Sequence, residues 1–147
     1  MREAPGNLWN TPDSENDWRV ITTNLSVGVG GNAVMGRGTA FQASVRYPTI
    51  KKRLGLHIQK HEDRLAVFPD WRLICFPVKF RWNYRADLRL IRQSALALRE
   101  FSQHQPGARI WMTRPGCHNG HRDWQSEVCP IIRDVLPDTV TVLYWRT

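Results

Sequence analysis

The chain has 147 residues, 41% of them hydrophobic, and its 21 Lys and Arg outweigh 13 Asp and Glu to leave a formal charge of +8. That length suits one domain with its own core, needing no disulfide or metal staple, and leaves no room for two ordinary domains. The apolar share excludes a disordered chain, no apolar run approaches the roughly 18 residues of a membrane span, and the first residues lack the apolar stretch of a secretion signal.

Residues 1–16 carry Pro5, Gly6, Pro12, Asp13 and Asn16, and are expected to form an arm with at most a short edge strand around Leu8 and Trp9. The β-branched and aromatic stretch 18–23 predicts a strand that Asn24 ends. Glycines follow at 28, 30, 31, 36 and 38. Small and apolar residues at helical spacing over 39–47 then predict a helix stopped by Pro48. Residues 50–61 read as a second, basic helix. Short apolar runs at 65–68 and 73–76, separated by Pro69 and Asp70, predict two strands. Asp87 is placed to cap a helix reaching about Gln103, because Leu88, Ile91, Ala95 and Leu98 share one face. Residues 108–112 predict a strand, Asp123 or Ser126 opens a helix through Ile132, and 139–145 predict a last strand. Strands alternating with helices give a single three-layer α/β domain.

Cys75, Cys117 and Cys129 are an odd, scattered set with no metal-ligand spacing. They predict a reducing, cytoplasmic compartment and no metal site. Seventeen of the 21 cations are arginine, whose planar fork matches phosphate. Arg85, Arg89, Arg92 and Arg99 lie on one side of the helix that Asp87 opens, and Lys51, Lys52, Arg53 and Lys60 crowd another. Such faces are either solvated or a footprint for a phosphate backbone.

Glycine concentrates after two strand ends, in Val34-Met35-Gly36-Arg37-Gly38-Thr39-Ala40 and in Arg114-Pro115-Gly116-Cys117-His118-Asn119-Gly120. Glycine lets backbone N–H groups approach an anion, and a glycine loop opening a helix is a natural phosphate cradle. Neither loop is a Walker or dinucleotide fingerprint, and each is also readable as an ordinary tight turn.

These stretches, with Asp17-Trp18-Arg19-Val20-Ile21-Thr22-Thr23-Asn24 and Phe76-Pro77-Val78-Lys79 followed by Trp82, resemble macro domains over nearly the whole chain. The resemblance points to the branch containing the DarG antitoxin and terminal ADP-ribose protein glycohydrolase, and to phage-encoded macro proteins. It implies a three-layer α/β/α macro domain over residues 17–147, with a mixed central sheet and an ADP-ribose cleft at its crest. Residue roles follow from it one at a time. Asp17 falls where an acid meets the adenine amino group, and Asn24 where an amide orients the distal ribose. Gly36, Arg37 and Gly38 form a first loop along ribose and diphosphate. Pro115, Gly116, Cys117, His118, Asn119 and Gly120 form a second, phosphate-holding loop through backbone N–H groups. Tyr144 or Trp145 stacks on adenine. Lys79 is the catalytic residue, attacking or polarising the anomeric carbon of the distal ribose, as a lysine of lowered pKa is able to do.

The second loop departs from the family. The glycohydrolase's catalytic acid falls at Gly120, and His118 and His121 stand where phage relatives carry glycine. Asp123 matches a different position. The stretch 25–33 is longer than in the antitoxin and is a candidate lid. The resemblance thus implies an ADP-ribose-binding domain that hydrolyses an ADP-ribosyl linkage on nucleic acid or protein. The alternatives are an ADP-ribose 1''-phosphate phosphatase and a non-catalytic reader or sink of ADP-ribose or a related NAD-derived nucleotide. No cofactor is implied, nucleic acid is left open as a carrier, and a monomer in the cytoplasm, a host's if phage-encoded, is expected.

Overall fold

A computed structural model describes residues 1–145. Six strands form one sheet in the order β1-β6-β5-β2-β4-β3: Arg2–Pro5 (β1), Asp17–Asn24 (β2), Ala66–Phe68 (β3), Leu73–Lys79 (β4), Arg109–Thr113 (β5) and Val140–Tyr144 (β6). All neighbours are parallel except β3 and β4, so the sheet is mixed. Four helices complete the domain, Gly38–Arg46 (α1), Ile50–His61 (α2), Leu88–Gln103 (α3) and Cys129–Ile132 (α4).

Strand alternation divides the core into two layers. Ile74, Phe76 and Val78 of β4 join Trp18 and Val20 of β2 under Ile91, Ala95, Leu98 and Ile132 of α3 and α4. Leu73 and Cys75 face the other way, with Ile21, under Ala40, Ala43, Ile50, Leu54 and Ile58 of α1 and α2. β4 is buried on both faces until Lys79, as expected of an inner strand of a sheet covered on both sides.

The helix boundaries follow local chemistry. Asp87 caps α3 by accepting from the Leu90 N–H at 2.9 Å, and α1 ends before Pro48. Asp123 caps the segment before α4, accepting from the Ser126 N–H at 2.8 Å. Its first turn, Trp124–Val128, is π-helical. Pro130 lacks the N–H an α-ladder would offer to Ser126, and its ring crowds that carbonyl, so a wider turn precedes it.

The N-terminal arm differs from expectation. Its strand is β1, on the sheet edge beside β6, while Leu8–Asn10 is a 3₁₀ turn with Leu8 buried. Pro5 tolerates the edge because its missing N–H falls where no second neighbour asks for one.

Candidate functional site

The chain leaves β2 toward β4 on one side, while β5 lies on the other. Adjacent parallel strands whose connections diverge leave a crevice beyond their carboxyl ends. That crevice is a cleft of about 910 Å³, lined in part by Asn24, Lys79, Arg37, Gly116, Tyr144 and Asn7.

Lys79 and Asn24 are neighbours because the β2–β4 register pairs them, across an irregularity at Thr23/Asn24. The Lys79 ammonium donates to the carbonyls of Asn119 at 3.0 Å and Trp82 at 3.2 Å. It is therefore pinned between the second loop and the turn after β4. Its pKa is lowered from the ordinary lysine value, first by burial and then by the neighbouring positive charge of Arg37. Asn24 donates from Nδ2 to the Val34 carbonyl at 3.0 Å and accepts from the Ser26 N–H at 2.9 Å. It closes the base of the excursion between them and keeps one N–H and one lone pair for a ligand.

The two glycine loops touch. Gly38 has φ +60°, and a Cβ there would lie 2.9 Å from the Asn119 side-chain nitrogen. Gly36, Arg37 and Gly38 are exposed along the cleft. In the second loop Gly116 has φ +73° and packs against Ile91 and Ala86. At Gly120 a Cβ would come within 2.5 Å of the Gly116 carbonyl oxygen and 2.7 Å of Ala86. Position 120 thus has no room for a side chain, carboxylate included. His121 adopts φ +59°, the left-handed backbone that glycine accepts most easily. Arg122 fastens this loop to the turn before α3, donating from Nε to the Ala86 carbonyl at 2.7 Å, and pairs with Glu127 of the π-helical turn at 2.8 Å. His118 is exposed at the rim. Burial pushes the Cys117 thiol up to about 12, so it sits in the loop as a neutral thiol.

Several expectations are corrected. Asp17 does not line the cleft. It opens β2, at the opposite end of the strand from Asn24, and is only 2% exposed. Its carboxylate accepts from Arg109 at 2.9 Å, Ser14 at 2.6 Å and the Trp111 indole at 3.0 Å. Burial alone would raise its pKa, but these donors win and hold it well below the carboxylate range. Pro115 is buried behind the loop, does not line the cleft and has no N–H to offer a phosphate. The excursion 25–33, a candidate lid in sequence, contributes no residue to the cleft lining. Its Ala33 N–H donates to the Lys51 carbonyl at 2.8 Å, and a Cβ on Gly55 would collide with the Gly31 carbonyl, so its returning arm packs on α2 while Val29 at its tip is fully exposed. Tyr144 does line the cleft, with the Arg114 guanidinium 4.9 Å from its ring centre.

Among the cleft residues that sequence reading did not assign to the site are Asn7 and Gln42. Asn7 follows β1, the strand that was displaced in the expectation. The available signal was Gly6-Asn7 after a proline, a strand-end turn. Among the described residues no three metal-ligating side chains come together, and no helix is long and apolar enough to cross a membrane.

No family model and no curated protein matches the chain. Solved structures do. The macrodomain of Mycobacterium tuberculosis DarG superposes with a TM-score of 0.75 at 23% identity, covering 99% of this chain and 97% of that one. The macrodomain of Thermus aquaticus DarG gives 0.72 at 21%, over 99% and 97%. Thermosipho africanus DarTG in complex with ADP-ribose gives 0.67 at 17%, over 88% of this chain and 38% of that one. The likeness fixes the architecture: the chain has the macrodomain fold, with its cleft beyond the carboxyl ends of the parallel strands.

Proposed function

We propose that the cleft binds ADP-ribose and that the protein hydrolyses an ADP-ribosyl linkage on a nucleic acid or protein. The observation that carries this reading is the Lys79 amine, held at one end of an open cleft whose neighbouring walls are glycine backbone. Backbone N–H groups suit a diphosphate, and an amine of lowered pKa suits an electrophilic sugar carbon. ADP-ribose in the Thermosipho africanus DarTG structure supports the ligand class.

In the reaction, unprotonated Lys79 adds to C1'' of the distal ribose as the bond from C1'' to the carrier breaks. The departing atom takes up the proton that the lysine nitrogen sheds. Water then displaces the lysine, freeing ADP-ribose and restoring the amine. Asn24 orients the ribose, and Gly36, Arg37, Gly38, Gly116, Cys117, His118, Asn119 and Gly120 border the diphosphate. Beside Lys79 the chain exposes Phe80, Trp82 and Tyr84 interleaved with Arg81 and Arg85. Exposed rings between arginines favour a nucleic-acid carrier, whose bases stack while its phosphates pair.

The test is release of ADP-ribose from a modified oligonucleotide and a modified protein, beside calorimetry with free ADP-ribose. Lys79→Ala is expected to lower turnover by about 100-fold or more while free ADP-ribose still binds. Unchanged turnover would sink the role of Lys79. A second reading, a reader without turnover, is favoured by Gly120, where no acid fits, and by Asp123, whose Oδ2 is held by Ser126 as a helix cap. Binding without turnover by the unaltered protein selects it. Phosphate release from ADP-ribose 1''-phosphate would instead select a phosphatase.

A further inference from the structure

We propose that the end of the cleft remote from Lys79 reads its base through two amides fixed as donors, Asn7 and Gln42, and takes a 6-oxopurine at least as well as adenine. This rests on the nucleotide reading above. The anchor is Trp9, just after β1. Its ring carries the Arg46 guanidinium at 4.1 Å, and both its N–H groups are spent on amide oxygens. The Trp9 backbone N–H donates to Asn7 Oδ1 at 2.9 Å, and its indole Nε1 donates to Gln42 Oε1 at 2.8 Å. Because both partners are N–H donors, chemistry fixes which end of each amide faces Trp9. Each NH₂ group is left over, with no hydrogen-bond partner among the described residues, and both residues line the cleft.

The surroundings reinforce a donor-rich character. Arg114 lines the same cleft, with its guanidinium 5.0 Å from the Trp124 ring centre and 4.9 Å from that of Tyr144. Its buried Nε meets no acceptor. Among the described lining residues the one carboxylate is Asp123, whose Oδ2 takes the Ser126 N–H and hydroxyl and which belongs to the second loop, on the Lys79 side of the cleft. A 6-aminopurine offers a donor beside N7, whereas a 6-oxopurine offers two adjacent acceptors, O6 and N7. An amide reads adenine with its oxygen and nitrogen together; here each oxygen is turned to a Trp9 N–H with one lone pair committed, while each NH₂ group keeps both its protons. Tyr144 and Trp145, which also line the cleft, present rings that stack on either purine alike.

The experiment is calorimetry with ADP-ribose and with inosine diphosphate ribose, which differ at C6, oxo for amino, and at N1, N–H for a bare nitrogen, with N7 and the rest of the ligand the same. The hypoxanthine compound is expected to bind as tightly as ADP-ribose or up to about tenfold more tightly. Asn7→Asp keeps the oxygen that caps the turn and replaces the donor by an acceptor. It should move the affinity ratio toward ADP-ribose by about threefold or more, and Gln42→Glu should do the same from the α1 side. ADP-ribose bound more than about threefold tighter by the unaltered protein, or a ratio that neither substitution moves, overturns the inference alone. Binding of neither compound by folded protein overturns the ADP-ribose reading and this inference with it.

Discussion

Lys79 owes its chemistry to where β4 stops. Six buried residues lead to it, and the seventh emerges half-covered beside Arg37. Both burial and that cation favour the free amine. If the free amine is the working form, turnover rises with pH to a midpoint below the ordinary lysine value of about 10.4. Arg37→Ala removes a positive neighbour, so the midpoint should move to higher pH, a shift readable in a pH–rate profile under saturating substrate. Asp17 illustrates the opposite outcome for a charged residue. Its folded pKa is depressed, so its contribution is fully present above the unfolded value of about 3.9 and is lost as pH falls toward the folded value. Asp17→Asn should cost about 2–3 kcal/mol at neutral pH and flatten the acid limb of a chemical-denaturation series between pH 4 and 2. Lys79 and Asn24 were legible through the macro-domain resemblance, and the apolar runs before them placed both at strand ends. The role of Asp17 came from the same resemblance and fails because Asp17 opens the strand that Asn24 closes, which puts the two at opposite ends of β2.

At the scale of elements, legibility tracked local chemistry. α2 spans the expected residues, and Asp87 and Pro48 bound their helices as caps and breakers do. β1 carries no such signal. Arg-Glu-Ala-Pro has neither β-branching nor alternation, and its hydrogen bonds come from β6, more than a hundred residues away. Missing β1 meant missing Asn7. The second loop stores a small conformational cost instead. His121 takes a backbone angle for which a side chain is penalised, and its own carbonyl accepts from Arg85 at 3.2 Å. His121→Gly removes the Cβ while leaving that carbonyl in place. It should raise stability by about 0.5–1 kcal/mol, measured as a shift in denaturant midpoint at constant slope.

Across the whole molecule the charge of +8 is less free than it looks in sequence. Arg19, Arg53, Arg72, Arg85, Arg109, Arg114 and Arg122 are each paired with an acid. Arg89, Arg92 and Arg99 stay exposed along α3, and Arg81 lies beside the cleft. If they grip a carrier's backbone, affinity for an ADP-ribosylated oligonucleotide should fall by about tenfold or more between 50 and 200 mM salt. Free ADP-ribose, which carries no polymer backbone, should lose far less in the same titration. Equal salt slopes would reduce these arginines to a solvated face.

The sheet also behaves as a ruler. Lys79 ends β4 and Asn7 follows β1, with four interstrand steps of about 4.8 Å between them, or roughly 19 Å. Hydrogen-bonded strands do not stretch, so this span is set by the backbone and not by any side chain that a substitution might exchange. A short ligand, a nucleoside monophosphate or a sugar phosphate, engages one end and forfeits the other. One that bridges both gains the second contact without a second loss of translational freedom. Length itself becomes a selected property of the ligand, imposed by the same parallel pairing that builds the core.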